Sequence, residues 1–224
     1  MDTGLGDVAN PSMRESIVDA LTTDGDLCKH ALHPYSCGFK QDPSNSNLLS
    51  KKVRAPDGTS KTVQIRLIDA TLSTHAEADF LESFSNDVVF YLGHSRNGGG
   101  PDFNPPRLLA NGDRDYAWYR RNQPGFHAIE TTLANSKDHP KLMALLSCDS
   151  GKHFAEKLHQ LAPETGLIVS EAEVEFLEQE HSLIGAIDGL LGAKCHDDFV
   201  KDFQFVDLST GKDPAGILQL IGFF

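Results

Sequence analysis

The chain has 224 residues, 39% of them hydrophobic, and its 20 Lys+Arg against 32 Asp+Glu give a formal net charge of −12. At ~100–200 residues per domain this is one large domain, or a domain with an extension, with enough apolar residues for a core without disulfide staples. The acidic balance and the lack of a basic stripe exclude a nucleic-acid or anionic-membrane surface. No run approaches the ~20 apolar residues of a membrane span, and the opening MDTGLGDVANPSMRES lacks the basic-then-apolar order of a signal peptide. The expectation is a soluble acidic protein, cytoplasmic or secreted without a conventional signal peptide.

The first 60 residues carry one helical signal. Ser12 and Glu15 make a capping box, and Met13, Ile17, Val18 and Leu21 follow at helical spacing. The polar run QDPSNSN at 41–47 reads as turns, and Ala55-Pro56-Asp57-Gly58 as a hairpin corner. Residues 1–60 therefore read as an N-terminal extension, regulatory or propeptide-like, and 61–224 as the domain that carries the chemistry. Gly4-x-Gly6 precedes no strand–helix unit and is no phosphate loop. Cys28, His30, His33 and Cys37 offer four potential zinc ligands within ten residues, but their spacing matches no zinc pattern. A Cys28–Cys37 bridge or two free thiols are the alternatives.

From residue 61 the pattern becomes regular. Val63–Ile68 reads as a strand, Ala76, Phe80, Leu81 and Phe84 as a helix, and Val88–Leu92 as an unbroken apolar strand. A Gly/Pro-rich stretch from Asn97 to Pro106 precedes a short helix marked by Phe126, Ile129 and Leu133. Leu142–Leu146 is the next strand, Phe154, Ala155, Leu158 and Leu161 mark a helix, Leu167–Val169 is the fourth strand, and Phe176–Leu191 the longest helix. Alternating strands and helices with continuously apolar strands indicate an α/β fold, a doubly wound and mostly parallel sheet with helices on both faces.

Such sheets place their sites beyond the carboxyl ends of the strands. Gly93-His94-Ser95-Arg96-Asn97-Gly98-Gly99-Gly100 follows the second strand, and Ser147-Cys148-Asp149-Ser150-Gly151 the third. On neighbouring strands ~4.8 Å apart, His94 and Cys148 would meet as base and nucleophile. A helix starting near Ser150 would lower the thiol pKa and offer N–H donors to an oxyanion. A buried structural Cys and a structural His are the plainer readings.

The segments DVVFYLGHSRNGGG and KLMALLSCDSGKHF resemble the caspase–legumain–gingipain group of cysteine peptidases, in which one apolar strand ends in His-Gly and a second in the catalytic Cys. Cys148-Asp149-Ser150-Gly151 is similar to the Cys-Glu-Ser-Gly of legumains and the Cys-His-Ser-Gly of metacaspases. The resemblance covers residues 60–195. It implies a caspase-like fold and a cysteine endopeptidase that cleaves peptide or protein substrates through a thioester. His94 and Cys148 would be the dyad, and the N–H groups of Ser95 and Cys148 the oxyanion hole. No cofactor and no metal are implied.

The family's Gly after the histidine is Ser95 here, which puts a side chain where the substrate carbonyl approaches and leaves a catalytically dead binding module as one alternative. Another is a serine α/β-hydrolase with Ser95 as nucleophile, since Gly93-His94-Ser95-Arg96-Asn97 nearly spells a nucleophile elbow. Its last glycine is missing, however, and GGGPDFNPP cannot form the helix an elbow leads into. Asp149, Glu171 and Glu173 are candidate substrate-binding residues that would favour a basic residue before the scissile bond. Alternatively, Glu171, Glu173 and Glu175 complement the N-terminus of the helix that follows. Cys195-His196 reads as local packing and capping near the end of a long helix.

Overall fold

The computed structural model describes residues 11–70, 72–204 and 218–221. The Gly4-x-Gly6 pair and the side chain of Ser12 lie outside what is described. In chain order the elements are α1 (Pro11–Thr22), α2 (Gly25–Lys29), β1 (Lys40–Asp42), β2 (Asn45–Arg54), β3 (Ser60–Arg66), α3 (Ala76–Glu82), β4 (Val88–Leu92) and α4 (Tyr116–Asn122). They continue with α5 (Pro124–Asn135), β5 (Leu142–Leu146), α6 (Glu156–Leu161), β6 (Gly166–Ser170), α7 (Phe176–Leu191), α8 (His196–Phe203) and β7 (Leu218–Ile221). The chain divides into two compact units. One holds Asp69–Gln179 together with β7, and the other holds Pro11–Ile68 together with Glu180–Phe205.

The first unit is a mixed α/β structure built on a four-stranded sheet in the order β4-β5-β6-β7. β4, β5 and β6 run parallel, and β7 lies antiparallel to β6. Every residue of β5 and β6 is buried, as continuous apolar runs require. Helices α4 and α5 connect β4 to β5, and α6 connects β5 to β6, because parallel neighbours need a crossover. Phe126 of α5 stacks on Phe154 at 5.0 Å. Phe80 of α3 meets Phe84 at 5.2 Å and Phe103 at 5.0 Å, with Tyr91 of β4 at 5.8 Å. Such aromatic pairs add about 0.5–1.5 kcal/mol each to the area they bury.

The strand read at Val63–Ile68 exists in part but not in this sheet. β3 pairs with β2 as an antiparallel hairpin, from Leu48 opposite Arg66 to Arg54 opposite Ser60. Its physical reason is visible in the residues: Val63 and Ile65 are half-buried while Gln64 and Arg66 are exposed, the alternation of a strand with one wet face.

The second unit carries this three-stranded sheet, β1-β2-β3. The hairpin corner closes where Ala55 donates to the Thr59 carbonyl at 2.8 Å, with Gly58 left-handed at φ +82°. The Asp57 carboxylate accepts both the N–H and the hydroxyl of Thr59. Cys28 and Cys37 form a disulfide, so they are neither zinc ligands nor free thiols. Cys195 lies just past the end of the long helix, as the N-cap residue of a separate helix, α8. A methyl on Gly185 of α7 would collide with the Asp202 main chain of α8, and only a glycine allows that approach.

Leu145→Ala, in the fully buried β5, should destabilise the first unit by about 2–5 kcal/mol in urea unfolding. Leu177→Ala, at a residue 67% exposed, should change stability by less than about 0.5 kcal/mol.

Candidate active site

β4 and β5 pair in register, Val88 opposite Leu142 through Leu92 opposite Leu146. Gly93 extends the ladder by donating to the Leu146 carbonyl at 3.5 Å. His94 and Cys148 therefore leave adjacent strands at matched positions, each two residues past the last pair. Both are half-buried.

The loop after His94 is fixed from within. Tyr91 donates its hydroxyl to the His94 carbonyl at 3.0 Å, and that hydroxyl accepts the Asp102 N–H at 3.4 Å. Arg96 is 3% exposed, with its Nε 3.8 Å from the Asp102 carboxylate and its guanidinium 5.5 Å from the Tyr119 ring. Arg96 and Asn97 are left-handed, and the Ser95 carbonyl accepts the N–H groups of Gly98 and Gly100, both at 2.9 Å. The glycines serve close packing: a Cβ on Gly99 would lie 2.7 Å from Tyr119 Cβ, and one on Gly100 would lie 2.7 Å from the His94 carbonyl.

The Cys148 turn is pinned by Ser150. Its hydroxyl donates to the Leu145 carbonyl at 2.6 Å and accepts the Ser170 N–H at 2.8 Å, tying the end of β5 to the end of β6. Asp149 is left-handed and donates its N–H to the Ala172 carbonyl at 2.9 Å. The helical segment that follows begins at Ser150 with a π-helical turn over Gly151–Ala155 and runs into α6. Any side chain on Gly151 would collide with the Glu171 carboxylate.

Residues 174–176 touch both halves. Cys148 Sγ accepts the Val174 N–H at 3.5 Å and donates to the Val174 carbonyl at 3.8 Å. The Phe176 and His94 rings meet in a T-shaped arrangement, their centroids 5.7 Å apart. Gln179, 1% exposed, holds the arrangement by donating to the Gly93 carbonyl at 3.2 Å.

Burial pushes the Cys148 thiol above its ordinary pKa. The Val174 contact pulls the other way, while the Glu173 and Asp149 carboxylates push it further up. The thiolate lowering expected from the helix start is thus outweighed. Removing water around sulfur and adding two negative charges disfavours the thiolate more than N–H groups help it. Asp149 and Glu173 do lie in the electrostatic field of the sulfur. Glu171 instead covers Gly151, and Glu178, not Glu171 or Glu173, accepts the Glu175 N–H at the start of α7.

Ser95 is buried, at 5% exposure. A single 3-10 turn over Arg96–Gly98 follows it, and no α-helix begins before α4. This is not the strand–turn–helix of a nucleophile elbow. Among the described residues, neither the Ser95 N–H nor the Cys148 N–H donates to a main-chain carbonyl.

Residue-by-residue reading missed Tyr91, Asp102, Ser150, Phe176 and Gln179 as supports. It also missed His153, a half-buried imidazole whose Nδ1 would lie 3.0 Å from a Cβ on Gly98. Burial holds the His153 pKa below its ordinary value. No family model and no curated protein matches the chain.

Ser150→Ala strands the buried Ser170 N–H and should destabilise the first unit by about 1–3 kcal/mol, read in urea unfolding. Glu173→Gln removes one carboxylate that raises the thiol pKa. The pH midpoint of Cys148 alkylation should therefore move down, and an unmoved or raised midpoint would contradict this electrostatic reading.

Proposed function

We propose that the chain is a cysteine endopeptidase of caspase-like fold, with helices on both faces of a doubly wound sheet and His94 and Cys148 as its dyad. The observation that supports this reading is the register match that puts His94 and Cys148 at matched positions just beyond the carboxyl ends of adjacent parallel strands. An open α/β sheet presents ligands there.

Cys148 Sγ attacks the scissile carbonyl. Because burial keeps the resting thiol protonated, His94 takes the proton as general base during attack, then gives it to the leaving amine. The C–N bond breaks, the acyl group stays on Cys148 as a thioester, and water releases it as a carboxylate. The N–H groups of Ser95 and Cys148 receive the developing oxyanion. Asp149 and Glu173, which act on the sulfur electrostatically, and exposed Glu171 favour a peptide with Lys or Arg before the scissile bond. The substrate is a peptide or protein, and the chemistry needs no cofactor. Among the described residues no helix is long and apolar enough to cross a membrane.

A second reading, a catalytically inactive binding module of the same fold, draws on the hydrogen bonds of the thiol to Val174. Kinetics separate the two. Cys148→Ala should abolish cleavage of a Lys/Arg peptide library at unchanged thermal stability, and His94→Ala should lower kcat about 10²–10⁴-fold. Wild-type protein without peptidase activity would favour the binding module, and activity surviving in Cys148→Ala would reject the dyad.

A further inference from the structure

The second unit brings together three side chains from distant segments: His33 from the loop after α2, Asp188 from α7 and Asp202 from α8. One ligand atom of each lies within 4.8 Å of the other two. Asp188 is wholly buried, and its Oδ1 accepts the N–H of Tyr35 at 2.5 Å and of Ser36 at 3.1 Å. That leaves Oδ2 facing the cluster, where Lys194 Nζ binds it at 2.9 Å and Asp202 Oδ2 at 2.7 Å. A positive charge therefore already belongs at this place, between two carboxylates in a poorly solvated site.

The lysine does not complete the site. Both ring nitrogens of His33 are shielded from solvent and have no hydrogen-bond partner among the described residues. Ring nitrogens shielded from water and left unpaired destabilise the fold around them. An ammonium only donates, so it can satisfy carboxylates, yet in this position it gives His33 nothing. A divalent transition-metal ion would satisfy all three at once, since imidazole nitrogen and carboxylate oxygen are the ligands such ions take. His181 stands edge-on to His33 at 5.3 Å between ring centroids, a further imidazole beside the cluster. Lys194 has a way out: its side chain is 27% exposed, on the short link between α7 and α8.

We propose that His33, Asp188 and Asp202 form a binding site for a divalent transition-metal ion of the Zn²⁺ type, which takes the place filled here by the Lys194 ammonium. The ion joins the disulfide-closed loop to both helices, so it stabilises the second unit. Lys194 acts as a competitor that sets the affinity.

The test is calorimetric titration of the full chain with Zn²⁺, in a Cys148→Ser, Cys195→Ser background that removes both free thiols. It is independent of whether His94 and Cys148 cleave peptides. One ion should bind per chain, and His33→Ala and Asp202→Asn should each weaken binding at least ~10-fold. His30→Ala, at an exposed residue, should leave it unchanged, and Lys194→Met should tighten it. Circular dichroism of each variant establishes that it is folded, and Asp188 is left intact because it holds the Tyr35–Ser36 backbone. No saturable binding in the background protein, or equal binding in His33→Ala, would overturn the site. Binding unchanged or weakened in a folded Lys194→Met would overturn the role of the lysine as competing cation.

Discussion

Parallel pairing of β4 with β5 places the two candidate groups, because the register of a parallel ladder leaves no freedom once it is set. With Leu92 opposite Leu146, the residues leaving the two strands emerge side by side, and a shift of one residue would turn each to the other face. The register is held by burial. All of β5 is out of water, so its polar backbone must find partners in the neighbouring strands, and slippage would strand them. Ser150 extends this constraint past the strand ends by binding one carbonyl of β5 and one N–H of β6.

The environment of Cys148 is a balance in which burial wins. The sulfur sits against the Val174 backbone, and the Glu173 and Asp149 carboxylates add to the burial that raises its pKa. A resting thiolate is therefore disfavoured, so in the proposed dyad His94 would take the proton as the new bond forms, not before. In the proposed peptidase, the same carboxylates that disfavour the thiolate would attract a cationic substrate side chain, whose positive charge would offset them on binding.

Much of the first unit is legible in the sequence, because Val88–Leu92, Leu142–Leu146 and Leu167–Val169 are continuous apolar runs and only a strand covered on both faces tolerates them. Val63–Arg66 is also legible as a strand, but its alternation with Gln64 and Arg66 is the sign of a half-wet hairpin, not of a central strand. Its partner β2, with Lys51, Lys52 and Arg54, lacks an apolar run, so nothing local marks it. The grouping of Pro11–Ile68 with Glu180–Phe205 rests on long-range bonds such as those of Tyr35 and Ser36 to Asp188, which no spacing reveals. His94 and Cys148 were visible because both follow strands. Tyr91, Arg96 and Gln179 were not, because their importance comes from burial and from partners far along the chain. The raised thiol pKa is of the same kind, a property of the surroundings and not of the residue.

The most direct test of the account is acid quenching of the wild-type protein during turnover of a Lys- or Arg-containing peptide ester, followed by mapping of the acylated residue by mass spectrometry. The account predicts an acyl group on Cys148 through a thioester, absent from Cys148→Ala. An acyl group on Ser95, or substrate turnover with Cys148 never acylated, would contradict it.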